Sequence, residues 1–126
     1  MSVGRVATFH ARHGRLSALT STRLATLLPR YAVPAAVLAP PGTPGRPGSP
    51  GRPARVVLEI GCGHGAAALA YAATHPDAHV IALDVHPPGV ARMLAAADEA
   101  GLANLSAELA DAVAFLEDRV PPAGLD

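Results

Sequence analysis

The stretch Val56-Val57-Leu58-Glu59-Ile60-Gly61-Cys62-Gly63-His64-Gly65 decides the fold of this chain. Its first half is a short β-branched run without polar alternation, which is typical of a parallel strand buried on both faces. Its second half is rich in glycine, which lets a backbone turn tightly and approach a ligand closely. An alanine-rich segment from about 65 to 74 then predicts a helix, which ends before Pro76.

The same pattern of a strand followed by a helix recurs twice along the chain. A second strand is predicted at 79–84 and a second helix at 88–100, with Pro88 in the first turn and Gly101 as the terminating glycine. A third strand at 105–109 precedes a short third helix at 112–119. This alternation predicts an α/β fold with a doubly wound parallel sheet, in which ligands bind beyond the carboxyl ends of the strands.

The N-terminal part of the chain has a different composition. Ser17 is a candidate N-cap for a helix whose apolar positions 24, 27, 28 and 31 share one face. Residues 40–53 are rich in proline and glycine; the four glycine triplets are too few for a collagen helix and favour an extended linker. We therefore predict a basic arm with a short helix over 1–39, a linker over 40–54 and a ligand-binding domain over 55–126.

The formal charges sum to zero but are divided unevenly along the chain. Residues 1–55 carry eight arginines and no acid, whereas residues 56–126 carry ten acids and two arginines. The basic arm suggests a polyanionic partner; a solvated tail or a transit peptide is the alternative. The single Cys62 excludes an internal disulfide and no apolar stretch is long enough to span a membrane, so we expect a cytoplasmic protein without a membrane partner.

Acidic residues at the predicted strand ends are the candidate ligand-binding groups. The loop from Gly61 also fits a dinucleotide fingerprint, with Asp84 as its ribose-binding acid. Glu59 argues against that alternative, because its carboxylate would repel a pyrophosphate and attract the ammonium and sulfonium groups of S-adenosylmethionine. Asp84 is placed to accept both ribose hydroxyls, a role that either cofactor needs. Asp111 with the N–H of Ala112 could bind an adenine, or Asp111 could cap the third helix.

These residues resemble those of bacterial tRNA (guanine-N7-)-methyltransferases. The resemblance runs in the same order and spacing over 12–17, 58–65, 84–90, 101–105 and 111–112. It implies a Rossmann-like methyltransferase fold that binds S-adenosylmethionine and methylates N7 of a guanine in tRNA. The implied cofactor-binding residues are Glu59, Gly61, Asp84, His86, Asp111 and Ala112. The chain departs from the family at Asp84, where glutamate is usual, and in the segment 40–53, which looks like an insertion.

The family's guanine-recognition segment, Pro-Asp-Pro-Trp-Pro-Lys, would lie beyond Asp126. We therefore expect a sheet truncated after about three β-α units, with strand one at an apolar edge, and a chain that does not methylate tRNA by itself. Transfer to N7 needs no general base, because that nitrogen has a free lone pair, so positioning is the main catalytic device. No catalytic residue is identified; Arg12 and Arg15 are the candidate contacts to the tRNA backbone.

Three other functions remain open: a methyltransferase acting on a small molecule or protein, a nicotinamide-dependent oxidoreductase, and a truncated gene product without enzymatic activity.

Cys62 is more readily a small loop residue than a nucleophile, since only His64 lies near it in the sequence. His75 and His79 are separated by Pro76, so we predict no metal site.

Overall fold

The computed structural model describes residues 16–39 and 55–120. Within these residues, three parallel strands form one sheet in the order β1-β2-β3: β1 (Val56–Ile60), β2 (His79–Asp84) and β3 (Leu105–Leu109). Leu58 lies opposite Ile81, and Ile81 lies opposite Ser106. The three predicted strands are confirmed, and this order is that of one half of a doubly wound, Rossmann-like sheet.

Helices lie before, between and after the strands. They are α1 (Ala18–Arg30), α2 (Ala35–Leu38), α3 (Ala66–Thr74), α4 (Pro87–Ala100) and α5 (Ala112–Arg119). The hydroxyl oxygen of Ser17 accepts the N–H of Thr20 at 3.0 Å and caps α1, as predicted. Gly101 ends α4 with a φ of +70°, a left-handed conformation that glycine adopts at little cost.

The two faces of the sheet carry two different cores. One core lies under α1, α3 and α4, and includes Leu27, Ala68, Val80, Ala82, Met93 and Leu94. The other lies under α2 and α5, and includes Val37, Leu38, Val56, Ile81, Leu83 and Phe115. Successive residues from Val80 to Leu83 therefore face opposite cores, which explains why all four of these β2 residues are apolar.

The segment that joins α1 to α2 passes from one face of the sheet to the other. Tyr31 packs against the first core, and its C=O accepts the N–H of Ala107 in β3 at 2.9 Å. Val33, only two residues later, is buried in the second core. The segment thus covers the side of β3 that faces away from β2, which restricts pairing of this edge with other chains.

The predicted apolar face of the first helix is also confirmed, because Leu24, Leu27, Leu28 and Tyr31 all contact the first core. The division of the chain at 39/40 and 54/55 stays a prediction. The whole of the predicted linker over 40–54 lies outside the described residues, whereas α1 and α2 pack on the same sheet as the domain that follows them.

Candidate functional site

The carboxyl ends of the three strands meet at a cavity of about 150 Å³. It is lined by Ile60, Gly61, Leu83, Asp84, Val85, Ala110, Asp111 and Ala112. Four of the predicted cofactor-binding residues therefore share one cavity, whereas Glu59 and His86 are not part of its lining. A second cavity, of about 210 Å³, adjoins the first through Val85, Ala110 and Asp111.

A larger cavity of about 240 Å³ lies at the opposite end of the sheet, where β2 and β3 begin. Its wall includes His79 and Ser106, whose Nε2 and Oγ atoms are 2.7 Å apart. Burial lowers the pKa of His79. We assign the functional site to the smaller cavities, because ligands of open parallel sheets bind at the carboxyl ends of the strands.

The end of β2 holds the glycine loop (residues 61–65) through consecutive backbone groups. The C=O of Leu83 accepts the N–H of Gly61 at 2.8 Å and that of Cys62 at 3.1 Å. Oδ2 of Asp84 accepts the N–H of Gly63 at 2.7 Å. A dinucleotide pyrophosphate is bound by N–H groups of such a loop, and here three of them already donate to β2.

Asp84 is the link between the first two strand ends. Besides Gly63, its carboxylate accepts the backbone N–H groups of Val85 and His86 on Oδ1, at 2.6 Å and 3.1 Å. His86 is the exposed N-cap residue of α4, so the structure connects it to Asp84 through its backbone. The side chain of Asp84 remains half-buried at the cavity wall.

Glu59 contributes its charge to the loop from a neighbouring position. It is half-buried and lies opposite Ala82, on the face of the sheet that α3 and α4 cover. Burial, and after it the charges of Asp84 and Glu59, raise the pKa of Cys62 to about 11. Cys62 is thus a neutral, buried thiol at neutral pH, as expected for a loop residue that is not a nucleophile. The same carboxylates favour a cationic ligand near the loop.

Asp111 caps α5, so the second role considered for it is confirmed. Its Oδ1 accepts the N–H groups of Val113 and Ala114 at 2.8 Å and 3.1 Å. The same side chain lines both cavities at the carboxyl ends of the strands, and the capping bonds fix its position there. Ala112, the first residue of α5, has an N–H without an acceptor inside the helix.

The close packing of α4 against the glycine loop was not predicted from the sequence. A Cβ at Gly89 would lie 2.7 Å from the carbonyl oxygen of Gly63. A Cβ at Gly65 would lie 2.5 Å from Sδ and 2.7 Å from Cβ of Met93. Gly89 did carry a signal, because a glycine inside a predicted helix costs about 1 kcal/mol and calls for a packing reason.

Arg12 and Arg15 lie outside the described residues, so their contact with tRNA stays a prediction. Within 16–39 and 55–120, no three histidine, cysteine, aspartate or glutamate side chains come together as metal ligands would. In the same ranges, no helix combines the length and the apolar character needed to cross a bilayer.

Comparison with known proteins identifies relatives of the whole region that forms the site. A family model described as "Putative methyltransferase" matches residues 53–126. A tRNA (guanine-N(7)-)-methyltransferase of Methylococcus capsulatus is 36% identical over 122 residues, which are 96% of this chain and 50% of that protein. A protein of the same name from Sodalis glossinidius is 49% identical over 72 residues, 57% of this chain and 30% of its own length.

Among solved structures, a crystal structure of coclaurine N-methyltransferase bound to N-methylheliamine and SAH is 28% identical, with a TM-score of 0.44. The match covers 45% of this chain and 17% of that one. The present chain therefore spans half or less of the length of these proteins. The family model, however, covers more than half of this chain, including all three strands, the glycine loop and the cavities at the strand ends. The chain belongs to this family of methyltransferases.

Proposed function

We propose that the cavities at the carboxyl ends of β1, β2 and β3 bind the adenosyl part of S-adenosylmethionine. The observation that carries this proposal is the state of the glycine loop. The N–H groups of Gly61, Cys62 and Gly63 donate to β2, and Asp84 and Glu59 place negative charge beside them. Such a loop suits a sulfonium or ammonium group and disfavours the pyrophosphate of a dinucleotide.

The residues at the strand ends would divide the ligand between them. Asp84 would accept from the ribose, and Asp111 with the N–H of Ala112 would bind the adenine. Gly61 would allow close approach of the ligand to the loop, and Glu59 would contribute favourable charge. His86 lies next to this set, as the N-cap of α4.

We also propose that the acceptor is N7 of a guanine in tRNA. The names of the relatives from Methylococcus and Sodalis support this acceptor, as does the acid-free run of arginines at the N-terminus. The bound donor supplies an electrophilic methyl group, and the residues of this chain bind and orient it. The N7 lone pair is free, so positioning replaces a general base. Arg12 and Arg15 would contact tRNA phosphates without reading sequence, and a tRNA substrate supports a cytoplasmic site of action.

Donor binding is tested by calorimetry on the 126-residue chain, with S-adenosylhomocysteine and NAD as ligands. We expect binding of the first and none of the second. Asp84→Ala should weaken binding of S-adenosylhomocysteine by about 1.5–3 kcal/mol, because a charge-assisted hydrogen bond is lost. Asp77→Asn, an exposed substitution in the turn before β2, is the matched control. Unchanged affinity of Asp84→Ala would remove Asp84 from the site, and binding of NAD alone would favour the oxidoreductase.

Methyl transfer is tested separately, because the chain spans half or less of the relatives' length. We propose that this chain binds the donor but does not methylate tRNA alone. Labelled S-adenosylmethionine is offered with tRNA transcribed from GTP or from 7-deaza-GTP, and the Methylococcus relative serves as positive control. The relative should label only the tRNA that retains N7. Labelling of tRNA by the present chain would contradict its inactivity; labelling of the 7-deaza transcript would contradict the proposed acceptor atom.

A further inference from the structure

We infer that Asp84 shapes the glycine loop before any ligand binds, and that it leaves one acceptor direction for a single ribose hydroxyl. The identity of the ligand, an S-adenosyl nucleoside, rests on the proposed function. The shaping of the loop concerns the ligand-free protein and is independent of it. Asp84 is, in this view, a positioning residue for the loop as well as a binding residue.

One carboxylate can accept only a limited number of hydrogen bonds. Its two oxygens offer roughly four acceptor directions. Oδ1 already accepts the N–H groups of Val85 and His86 at 2.6 Å and 3.1 Å. Oδ2 accepts the N–H of Gly63 at 2.7 Å. One direction remains, on Oδ2, so the 2′- and 3′-hydroxyls cannot both donate to Asp84 unless a backbone N–H is displaced.

The backbone groups that donate to Asp84 are held in place. Val85 and His86 directly follow Asp84 in the chain, so their bonds are local. Gly63 is fixed from the opposite side, since its carbonyl oxygen would lie 2.7 Å from a Cβ at Gly89. Its neighbours in the loop donate to the C=O of Leu83. Displacing the N–H of Gly63 would therefore distort the packing of α4 or leave a donor without its acceptor.

The length of the Asp84 side chain also determines which groups it can bind. In Asp84 the carboxylate carbon is bonded directly to Cβ, and in this position Oδ2 reaches the N–H of Gly63. A glutamate is one methylene longer and cannot keep the same local bonds to Val85 and His86 and the same bond to Gly63. The short side chain thus positions the loop, and it leaves an acceptor for only one ribose hydroxyl.

The ribose part of the inference is tested by calorimetry with S-adenosylhomocysteine and its 2′-deoxy, 3′-deoxy and 2′,3′-dideoxy forms. Each ligand is titrated into the unsubstituted chain, Asp84→Asn and the control Asp77→Asn. Removing one of the two hydroxyls should weaken binding to the unsubstituted chain by about tenfold or more beyond its effect on Asp84→Asn. Removing the other hydroxyl should have the same effect on both chains. Asp84→Asn should still weaken the dideoxy ligand, by about tenfold, because one amide oxygen cannot replace both carboxylate oxygens as acceptors of the Gly63, Val85 and His86 N–H groups. Equal coupling to both hydroxyls, with no loss for the dideoxy ligand, would overturn the inference.

The loop part is tested without ligand, by hydrogen exchange of the Gly63 amide in ¹⁵N-labelled protein. This amide should be protected in the unsubstituted chain and exchange about tenfold faster or more in Asp84→Ala, which has no side-chain acceptor. Gly89→Ala should also speed its exchange, because it displaces the Gly63 peptide without touching the carboxylate. An unprotected Gly63 amide in the folded, unsubstituted chain would overturn this part even if neither variant folds. If no S-adenosyl ligand binds, the proposed function fails, and exchange at Gly63 still decides whether Asp84 holds the loop.

Discussion

Replacing Gly65 by alanine should strongly destabilise the fold, because two separate costs meet at this residue. Gly65 has a φ of +84°, a left-handed conformation that costs a residue with a Cβ about 1–2 kcal/mol. The new Cβ would also lie 2.5 Å from Sδ and 2.7 Å from Cβ of Met93, whose side chain is fully buried. Overpacking of this kind costs about 1–3 kcal/mol. Together they predict a loss of about 2–5 kcal/mol in the free energy of unfolding.

Gly101→Ala is the matched control. Gly101 has a φ of +70°, and a Cβ there would meet nothing within 4 Å. It therefore shares the backbone cost of Gly65 without the contact with Met93. Urea unfolding followed by circular dichroism should show that Gly65→Ala loses about 1–3 kcal/mol more than Gly101→Ala.

A double substitution tests the assigned contact directly. Met93→Ala alone removes a buried side chain and should cost about 2–5 kcal/mol. Combined with Gly65→Ala, the total loss should be smaller than the sum of the single losses by about 1–3 kcal/mol, because the overlap has gone. If Gly65→Ala and Gly101→Ala were equally destabilised, or if the two substitutions in the double variant were additive, the packing of α4 on the glycine loop would be refuted.

Three other predictions concern charge and protonation. Replacing Arg12 and Arg15 by alanine should flatten the slope of log tRNA affinity against log salt by up to about two units, and an unaltered slope would assign them to a solvated tail. Burial lowers the pKa of His79 in the folded chain below its ordinary value of 6.5. The unfolded chain therefore binds more protons, and the stability that is present above pH 6.5 is lost as the pH falls below it. His79→Gln should therefore lose less stability in urea between about pH 7.5 and 5.5, and an identical loss would contradict this. Cys62, with its pKa raised from 9.0 to about 11, should react with iodoacetamide far more slowly in the folded chain than in urea; equal rates would contradict its burial.

The strands and helices could be predicted closely because their sequence signals are local. Ser17 and Gly101 mark the ends of α1 and α4 by their capping chemistry, and the structure confirms both. The sequence predicts that α4 begins at Pro88, whereas it begins at Pro87, one residue earlier. A strand buried on both faces, such as β2, can be identified without knowing which strand it pairs with, because its continuous apolar run is a sufficient signal.

The geometry of the candidate site could be predicted only in part. The rule that strand ends converge was sufficient to bring Gly61, Asp84 and Asp111 to one cavity. It could not show that Asp84 accepts the N–H of Gly63, because that bond depends on the register of β1 against β2. Nor could it place α1 and α2 on opposite faces of the sheet, since their contacts join residues far apart in the chain.

The crossing of Tyr31 and Val33 from one face of the sheet to the other has a consequence for the order of folding. The contacts within each strand-helix-strand unit are local, so these units can form early. The bond from Ala107 to Tyr31, and the burial of Val33 with Phe115, require β3 and α5 to be in place. Among the described helices α1 is made first, yet its C-terminal end can dock on β3 only after Ala107 has been made, and Val33 can be buried only after Phe115. The first of the described helices to be made is thus among the last to be secured.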